Sequence, residues 1–286
     1  MKPIVTLIAP GNMGASLGAR LSANGIEVRT SLEGRSAATI ERARSAGMTG
    51  VDNDALYEVD IVLSVLPPSE AMPLVKKMAG RLGSMEKPPL FVDCNAVSSQ
   101  SAMQMALMMN DAGAPFVDGG IIGGPARSGY DGPKVYVCGE RAAEIAKLND
   151  FGLFVPVLDG PVGAASALKM SYAGITKGLT AIGTSMVLAA ERAGAGEALY
   201  RELADTQSQL LERFSRNIPN MFSKARRWGP EMREISQFVS ECAGEEQAYQ
   251  GFAALYERIA DDLEGENKEV KTLRAFFARR DSKDEI

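Results

Sequence analysis

The sequence predicts an α/β domain built on a doubly wound parallel sheet over residues 1–160, followed by an all-helical domain over residues 161–286. Three observations carry this. Short, almost wholly apolar runs recur through the first half, separated by helix-length stretches, which is the pattern of parallel strands buried on both faces. Strand-like runs stop near residues 156–161, and only helical spacing follows. The chain, at 286 residues, also exceeds the usual size of one domain.

The runs Ile4-Val5-Thr6-Leu7-Ile8, Ile61-Val62-Leu63-Ser64-Val65-Leu66, Leu90-Phe91-Val92-Asp93 and Val135-Tyr136-Val137-Cys138 are the expected parallel strands, with a second strand ending near Val28-Arg29-Thr30. The methionine-rich stretch over 103–109 reads as the core face of a helix. Residues 163–192 form the most informative helix, apolar or small throughout with only Lys169 and Lys177 charged before Glu191. It is predicted to be buried on every side. Its uncharged run is too short to cross a bilayer, so no membrane partner is expected; close packing in the domain core or at a subunit interface is. Beyond it, helical periodicity breaks at Gly194-Ala195-Gly196, Ile218-Pro219 and Gly229-Pro230, and the charged tail from 261 to 286 reads as a solvated helix with a frayed end.

Composition excludes several functions. Lys plus Arg number 31 against 36 acidic residues, a formal charge of −5, and the one basic cluster is Lys224, Arg226 and Arg227. Nucleic acid is therefore not an expected partner. The chain has no histidine, and Cys94, Cys138 and Cys242 show no paired spacing, which argues against a metal site and against Ser-His-Asp chemistry. A strand-like run follows Met1-Lys2-Pro3 directly, with no secretion signal. A cytoplasmic protein is expected.

After the first strand comes Ala9-Pro10-Gly11-Asn12-Met13-Gly14, opening a helix rich in Ala and Leu. A strand, a glycine turn and a helix in this order make a dinucleotide site of the Rossmann type. Gly11 would let a pyrophosphate approach the backbone, and Gly14 would pack helix against strand. Ala9 replaces the first glycine and requires a negative φ. Asn12 and Met13 contribute free N–H groups at the helix start. Cofactor choice falls at the end of the second strand, where Thr30 or Ser31 stands in place of a carboxylate and Arg29 and Arg35 lie near enough for a 2′-phosphate. NADP is expected rather than NAD, with Glu33 the residue that opposes it.

With these motifs the chain resembles the β-hydroxyacid dehydrogenase superfamily, which includes 3-hydroxyisobutyrate dehydrogenase and 6-phosphogluconate dehydrogenase. The resemblance rests on Gly11-Asn12-Met13-Gly14, on Leu66-Pro67-Pro68 at a strand end, on Phe116-Val117-Asp118-Gly119-Gly120-Ile121-Ile122-Gly123-Gly124, and on Gly160-Pro161-Val162-Gly163 leading to Lys169. It spans both domains, and its second half is similar to a branch with a phosphogluconate-dehydrogenase-like helical domain. The resemblance implies that Leu66 and Pro67 face the cofactor and that Lys169 is the general acid/base. A lysine on an apolar helix loses hydration, which lowers its pKa toward neutrality and suits that role. It further implies that Asn95 touches substrate and nicotinamide, with Ser98 capping the next helix. The loop around Ile122, Gly123 and Gly124 is implied to bind a substrate carboxylate through backbone N–H groups.

Two departures alter the family pattern: Ile122 stands where a serine is usual, and Ala173 where an asparagine is usual. Tyr172 either replaces the missing hydrogen bond or fills the gap. Arg227 is a candidate clamp for the substrate carboxylate, against the alternative of a solvated helix face with Trp228 anchoring it. The resemblance as a whole implies a homodimer formed through the helical domain, to which the apolar helix from Gly163 contributes, and an NADP-dependent oxidoreductase acting on a small carboxylated hydroxy or oxo compound. The alternatives are an imine reductase on the same scaffold, opposed by Lys169, and a non-catalytic NADP-binding sensor, favoured by the two departures.

Overall fold

The computed structural model describes residues 2–279; the expected frayed end, from 280, lies outside the described residues. The chain forms two compact units, Met1–Met170 and Ser171–Ile286. The first is organised on seven strands: β1 (Ile4–Ile8), β2 (Glu27–Thr30), β3 (Thr49–Gly50), β4 (Ile61–Ser64), β5 (Leu90–Asp93), β6 (Phe116–Ile122) and β7 (Lys134–Cys138). They lie in the order β3-β2-β1-β4-β5-β6-β7. β1 to β6 are parallel, with Ile8 opposite Ser64 and Asp93 opposite Asp118.

β7 departs from the all-parallel expectation, pairing antiparallel with β6 through Ile122↔Lys134. Only the loop 123–133 joins the two strands, too short for the crossover helix that a parallel neighbour needs. The outer side of β7 is occupied in turn: Val135 and Val137 donate to the carbonyls of Phe154 and Pro156 at 2.8 and 3.0 Å, and Leu158 donates to the Val137 carbonyl at 2.8 Å.

Four helices link the parallel strands: α1 (Asn12–Ala23), α2 (Ala37–Ser45), α3 (Pro68–Gly83) and α4 (Ser99–Asp111). A short α5 (Ala142–Ile145) and a 3-10 turn (Ala146–Phe151) follow β7. Side-chain alternation divides β4, β5 and β6 between two cores. Val5, Leu7, Leu63 and Val92 pack with Leu17 and Leu21 of α1 on one face; Val62, Phe91 and Phe116 pack with Met78 and Leu82 of α3 and Met105 and Met109 of α4 on the other. Each buried side chain of this size stabilises by about 1.5–3 kcal/mol, so both faces of the sheet are committed. The methionine stretch is not uniformly core, since Met103 and Leu107 turn outward, 44% and 63% exposed.

α6 (Ala164–Arg192) begins in the first unit and continues into the second, where Gly194 at φ +73 ends it. The second unit is helical throughout: α7 (Gly196–Thr206), α8 (Ser208–Met221), a 3-10 turn (Phe222–Lys224), α9 (Ala225–Phe238), α10 (Ala243–Glu264) and α11 (Lys268–Ala278). Pro219 and Pro230 do not break helices as the sequence predicts but lie inside α8 and α9. Burial of Ile218, Met221 and Met232 holds those turns, because tertiary packing supplies most of a helix's stability. Arg226 bridges Asp261 and Glu264 at 2.8 and 2.7 Å and ties α9 to α10. Trp228 meets Tyr256 edge-on at 5.3 Å.

α6 corrects the expectation of burial on every side. Its glycines face neighbours: a methyl on Gly174 would lie 3.0 Å from the Tyr249 hydroxyl, and one on Gly183 would lie 2.7 Å from the Phe214 ring. Four of its large apolar residues point outward, with Tyr172, Ile175, Ile182 and Met186 between 48% and 68% exposed, while Met170, Val187 and Leu188 are buried. The spacing of the exposed four, by three, seven and four residues, puts them on one stripe. The glycines thus serve packed faces, and one stripe of bulky residues is left open. α6 is long and apolar enough by composition to cross a membrane, but half of its most apolar stretch is buried in the protein. Lys177 is held in an ion pair with Glu231, its ammonium 5.1 Å from the centre of the Trp228 ring.

Candidate active site

The site is assembled at the carboxyl ends of β1, β4, β5 and β6, where ligands bind in doubly wound sheets. β1 leads into a three-residue turn in which the Gly11 amide donates to the Ala9 carbonyl at 2.9 Å, a geometry that the fixed φ of Pro10 favours. Ala9 does not take the expected negative φ; it sits at +67. A side chain in that region costs about 1–2 kcal/mol. Gly11 then caps α1 with no side-chain partner for the helix N–H groups, leaving Asn12 and Met13 in an uncapped first turn. A methyl on Gly11 would meet nothing within 4 Å, whereas one on Gly14 would strike the Ala9 carbonyl and Leu7. Gly14 is therefore needed for packing, and the space over Gly11 is open to a pyrophosphate.

The end of β2 differs from the sequence reading in two respects. Thr30 turns inward, fully buried, its hydroxyl without a hydrogen-bond partner, so the accessible hydroxyl at this end is that of half-buried Ser31. Arg29 is committed elsewhere, to Glu27 at 2.7 Å and to the carbonyls of Ala55 and Glu58 at 3.0 and 3.1 Å, so it is not available as the cation the sequence reading offered at this end. Arg35 is exposed in the loop between β2 and α2. Glu33 accepts from Asn53 at 3.3 Å.

Leu66 and Pro67 connect β4 to α3 beside the glycine turn, the Val65 amide donating to the Ile8 carbonyl at 3.4 Å. Asn95, after β5, braces this connection. Its side-chain oxygen accepts from the Leu66 amide at 2.5 Å, and its amide nitrogen donates to Ser64 Oγ at 2.8 Å and to Asp93 Oδ1 at 2.5 Å. With Asn95 only 2% exposed, these contacts make it a clamp between the ends of β4 and β5. Ser98 caps α4, its hydroxyl accepting from the Ser101 amide at 3.1 Å.

The segment from Phe116, which the sequence shows as glycine-rich, is a strand that receives α6. Gly119 allows the Asp93 carbonyl to approach, and a methyl on Gly120 would lie 2.6 Å from the Ala165 carbonyl and 3.1 Å from Lys169 Cβ. Lys169, half-buried, thereby stands over the end of β6. The helix is fastened there by Asp118, which sequence reasoning passed over. Fully buried, its carboxylate accepts from the amides of Gly163, Ala165 and Ser166 at 2.9, 3.1 and 3.1 Å, from the Ser166 hydroxyl at 2.6 Å and from the Cys138 thiol at 3.2 Å. This anchor joins the first turns of α6 to the first unit, which runs to Met170. Ile122 closes β6, and Gly123 at φ +117 opens the loop beyond it. A methyl on Gly124 would meet nothing within 4 Å.

Tyr172 and Arg227 belong to the second unit. Tyr172 is 52% exposed on α6; Arg227 is exposed on α9 with its Nε 4.0 Å from Glu231.

Comparison with known proteins agrees with this layout. The family model of the NAD binding domain of 6-phosphogluconate dehydrogenase matches residues 5–151, and the domain of unknown function DUF1932 matches residues 190–259. A conserved protein of unknown function, described as structurally similar to 3-hydroxyacid dehydrogenases, shares 31% identity over 90% of this chain and 96% of its own, with a TM-score of 0.70. The 3-hydroxyisobutyrate dehydrogenase of Mycobacterium tuberculosis, solved with L-serine, has the same fold at 18% identity, covering 92% and 95% of the two chains, TM-score 0.70. An imine reductase variant from Myxococcus stipitatus, solved with NAD+, aligns at 21% identity over 97% and 100%, TM-score 0.56. The chain belongs to the β-hydroxyacid dehydrogenase superfamily, the nicotinamide-dependent oxidoreductases that share the cofactor domain of 6-phosphogluconate dehydrogenase.

Proposed function

We propose that the protein is an NADP-dependent dehydrogenase or reductase that interconverts a small carboxylated hydroxy compound and its oxo form, with Lys169 as general acid/base. The observation that carries this reading is the close seating of α6 on Gly120, which sets Lys169 Cβ over the strand that leads into the Gly123-Gly124 loop. The residues present fit a dinucleotide: open space over Gly11, an uncapped α1, and no carboxylate at Thr30 or Ser31. Gly11, Asn12 and Met13 would hold the pyrophosphate, Leu66 and Pro67 the nicotinamide side, and Ser31 and Arg35 the adenosine end. Bound nicotinamide supplies or accepts the hydride. Lys169 Nζ, in its neutral form, accepts the hydroxyl proton during oxidation and as ammonium returns it during reduction. The backbone of Gly123 and Gly124 holds the carboxylate, and the Asn95 clamp fixes the connection carrying Leu66.

The test is turnover of a panel of hydroxyacids, semialdehydes and cyclic imines with NADPH and NADH, for the wild type and Lys169→Ala. Loss of a positioned acid/base group lowers kcat by about 10²- to 10⁴-fold, with NADPH binding retained. Full activity in the variant would refute the assignment to Lys169, and NADPH binding without turnover of any substrate would favour the sensor.

A homodimer is part of the proposal. The exposed stripe of Tyr172, Ile175, Ile182 and Met186 on α6 supports a second copy as its cover. Light scattering of Ile182→Glu/Met186→Glu is expected to give monomer where the wild type gives dimer; a dimeric variant would refute the use of this face.

A further inference from the structure

A groove of about 760 Å³ runs along the outer side of α1, bounded by Asn12, Ser16, Arg20, Arg42 and Ala126. Its lining includes two arginines and no carboxylate. Arg42 comes from α2, and its Nη1 donates to the Pro10 carbonyl at 3.4 Å, which holds the guanidinium against the glycine turn. That bond uses one of the five N–H donors of the group. The adjoining carboxylate, Glu41, is engaged by Arg44 at 3.3 Å and Ser45 at 3.2 Å, and Arg29 is sequestered by Glu27 and two carbonyls.

We propose that Arg42 reads the 2′-phosphate of the cofactor, so that the cation selecting NADP comes from the second helix rather than from the end of the second strand. This deepens the reading of the protein as NADP-dependent and rests on it. A guanidinium offers paired donors to a phosphomonoester dianion, and Arg42 is the one whose position is fixed by a contact with the turn that would receive the adjoining pyrophosphate. Arg20 spends its Nε on the Gly152 carbonyl at 2.6 Å and serves the far part of the groove.

The test is calorimetric titration of the full chain with 2′,5′-ADP and with 5′-AMP, nucleotides that differ only in the phosphate. In Arg42→Gln, affinity for 2′,5′-ADP is expected to fall about 10- to 150-fold, the factor carried by a lost hydrogen bond to a charged group, while 5′-AMP changes less than about twofold; Arg42→Lys is expected to recover part of the loss. Equal weakening of both nucleotides would reduce Arg42 to a support of the turn and overturn the proposal. So would unchanged discrimination in Arg42→Gln with the loss appearing in Arg35→Gln. A wild type that binds both nucleotides equally would overturn the NADP reading itself, an outcome distinct from the other two.

Discussion

Removing the Asp118 carboxylate is expected to unfasten α6 from β6. Five donors converge on it, three of them backbone amides at the start of the helix, Gly163 just before it and Ala165 and Ser166 in its first turn, at 2.9–3.1 Å. Loss of an N-cap alone costs about 0.5–2 kcal/mol. Each buried N–H left unpaired adds about 1–3 kcal/mol, and these terms overlap because one shift of the helix relieves several. Asp118→Ala is therefore expected to lose roughly 4 kcal/mol, and Asp118→Asn, which keeps one acceptor oxygen, about half as much. At about 2–4 °C per kcal/mol for a domain of this size, calorimetry should show the alanine variant melting roughly 8–16 °C early. Because Lys169 lies one turn beyond Ser166, a loosened helix start should also lower kcat in the asparagine variant at temperatures where it is fully folded. An Asp118→Ala protein melting within about 2 °C of the wild type would refute the reasoning.

The left-handed backbone at Ala9 makes a second test. Ala9→Gly relieves about 1–2 kcal/mol of strain and concedes about 0.5–1 kcal/mol of chain entropy; a melting temperature unchanged or slightly raised is expected. Ala9→Val should destabilise by roughly 1–3 kcal/mol, and equal melting of the two variants would refute a positive φ there. The cysteines provide the third. Burial, reinforced by Asp118, pushes the Cys138 thiol up to about 12, and burial, reinforced by Asp93 and Asp118, raises that of Cys94; Cys242 is exposed. A colorimetric thiol reagent near neutral pH should therefore modify one thiol rapidly and the others only on denaturation. Above the ordinary thiol value of 9.0 the unfolded chain releases protons that the folded chain keeps, so urea midpoints should fall as pH rises from 9.0 toward about 12. A flat midpoint over that interval would refute it.

Features set by adjacent residues were legible in the sequence. β1, the tight packing at Gly14 and the helical second unit follow from runs and spacings a few residues long. Features set by distant residues were not. Asp118 caps a helix that starts 46 positions later, and Arg42 contacts a turn 32 positions earlier; neither pairing leaves a local signal. Gly119 and Gly120 look like loop residues, yet they are strand residues kept small by the approach of the Asp93 and Ala165 carbonyls. The apolar stripe of α6 escaped notice because buried Val187 and Leu188 and exposed Ile182 and Met186 count alike in a hydropathy pattern.

The borders of the sheet carry a consequence for handling the protein. β3 offers two residues as a border on one side, and on the other the Phe154–Leu158 stretch already takes the donors and acceptors of β7. Among the described residues, an incoming strand from another molecule finds no long row of unpaired amides at the sheet borders to template on. Crowded unfolding intermediates, rather than the native sheet, are then the species from which fibrous aggregates of this protein would grow, and storage conditions that suppress partial unfolding should suffice to keep it dispersed.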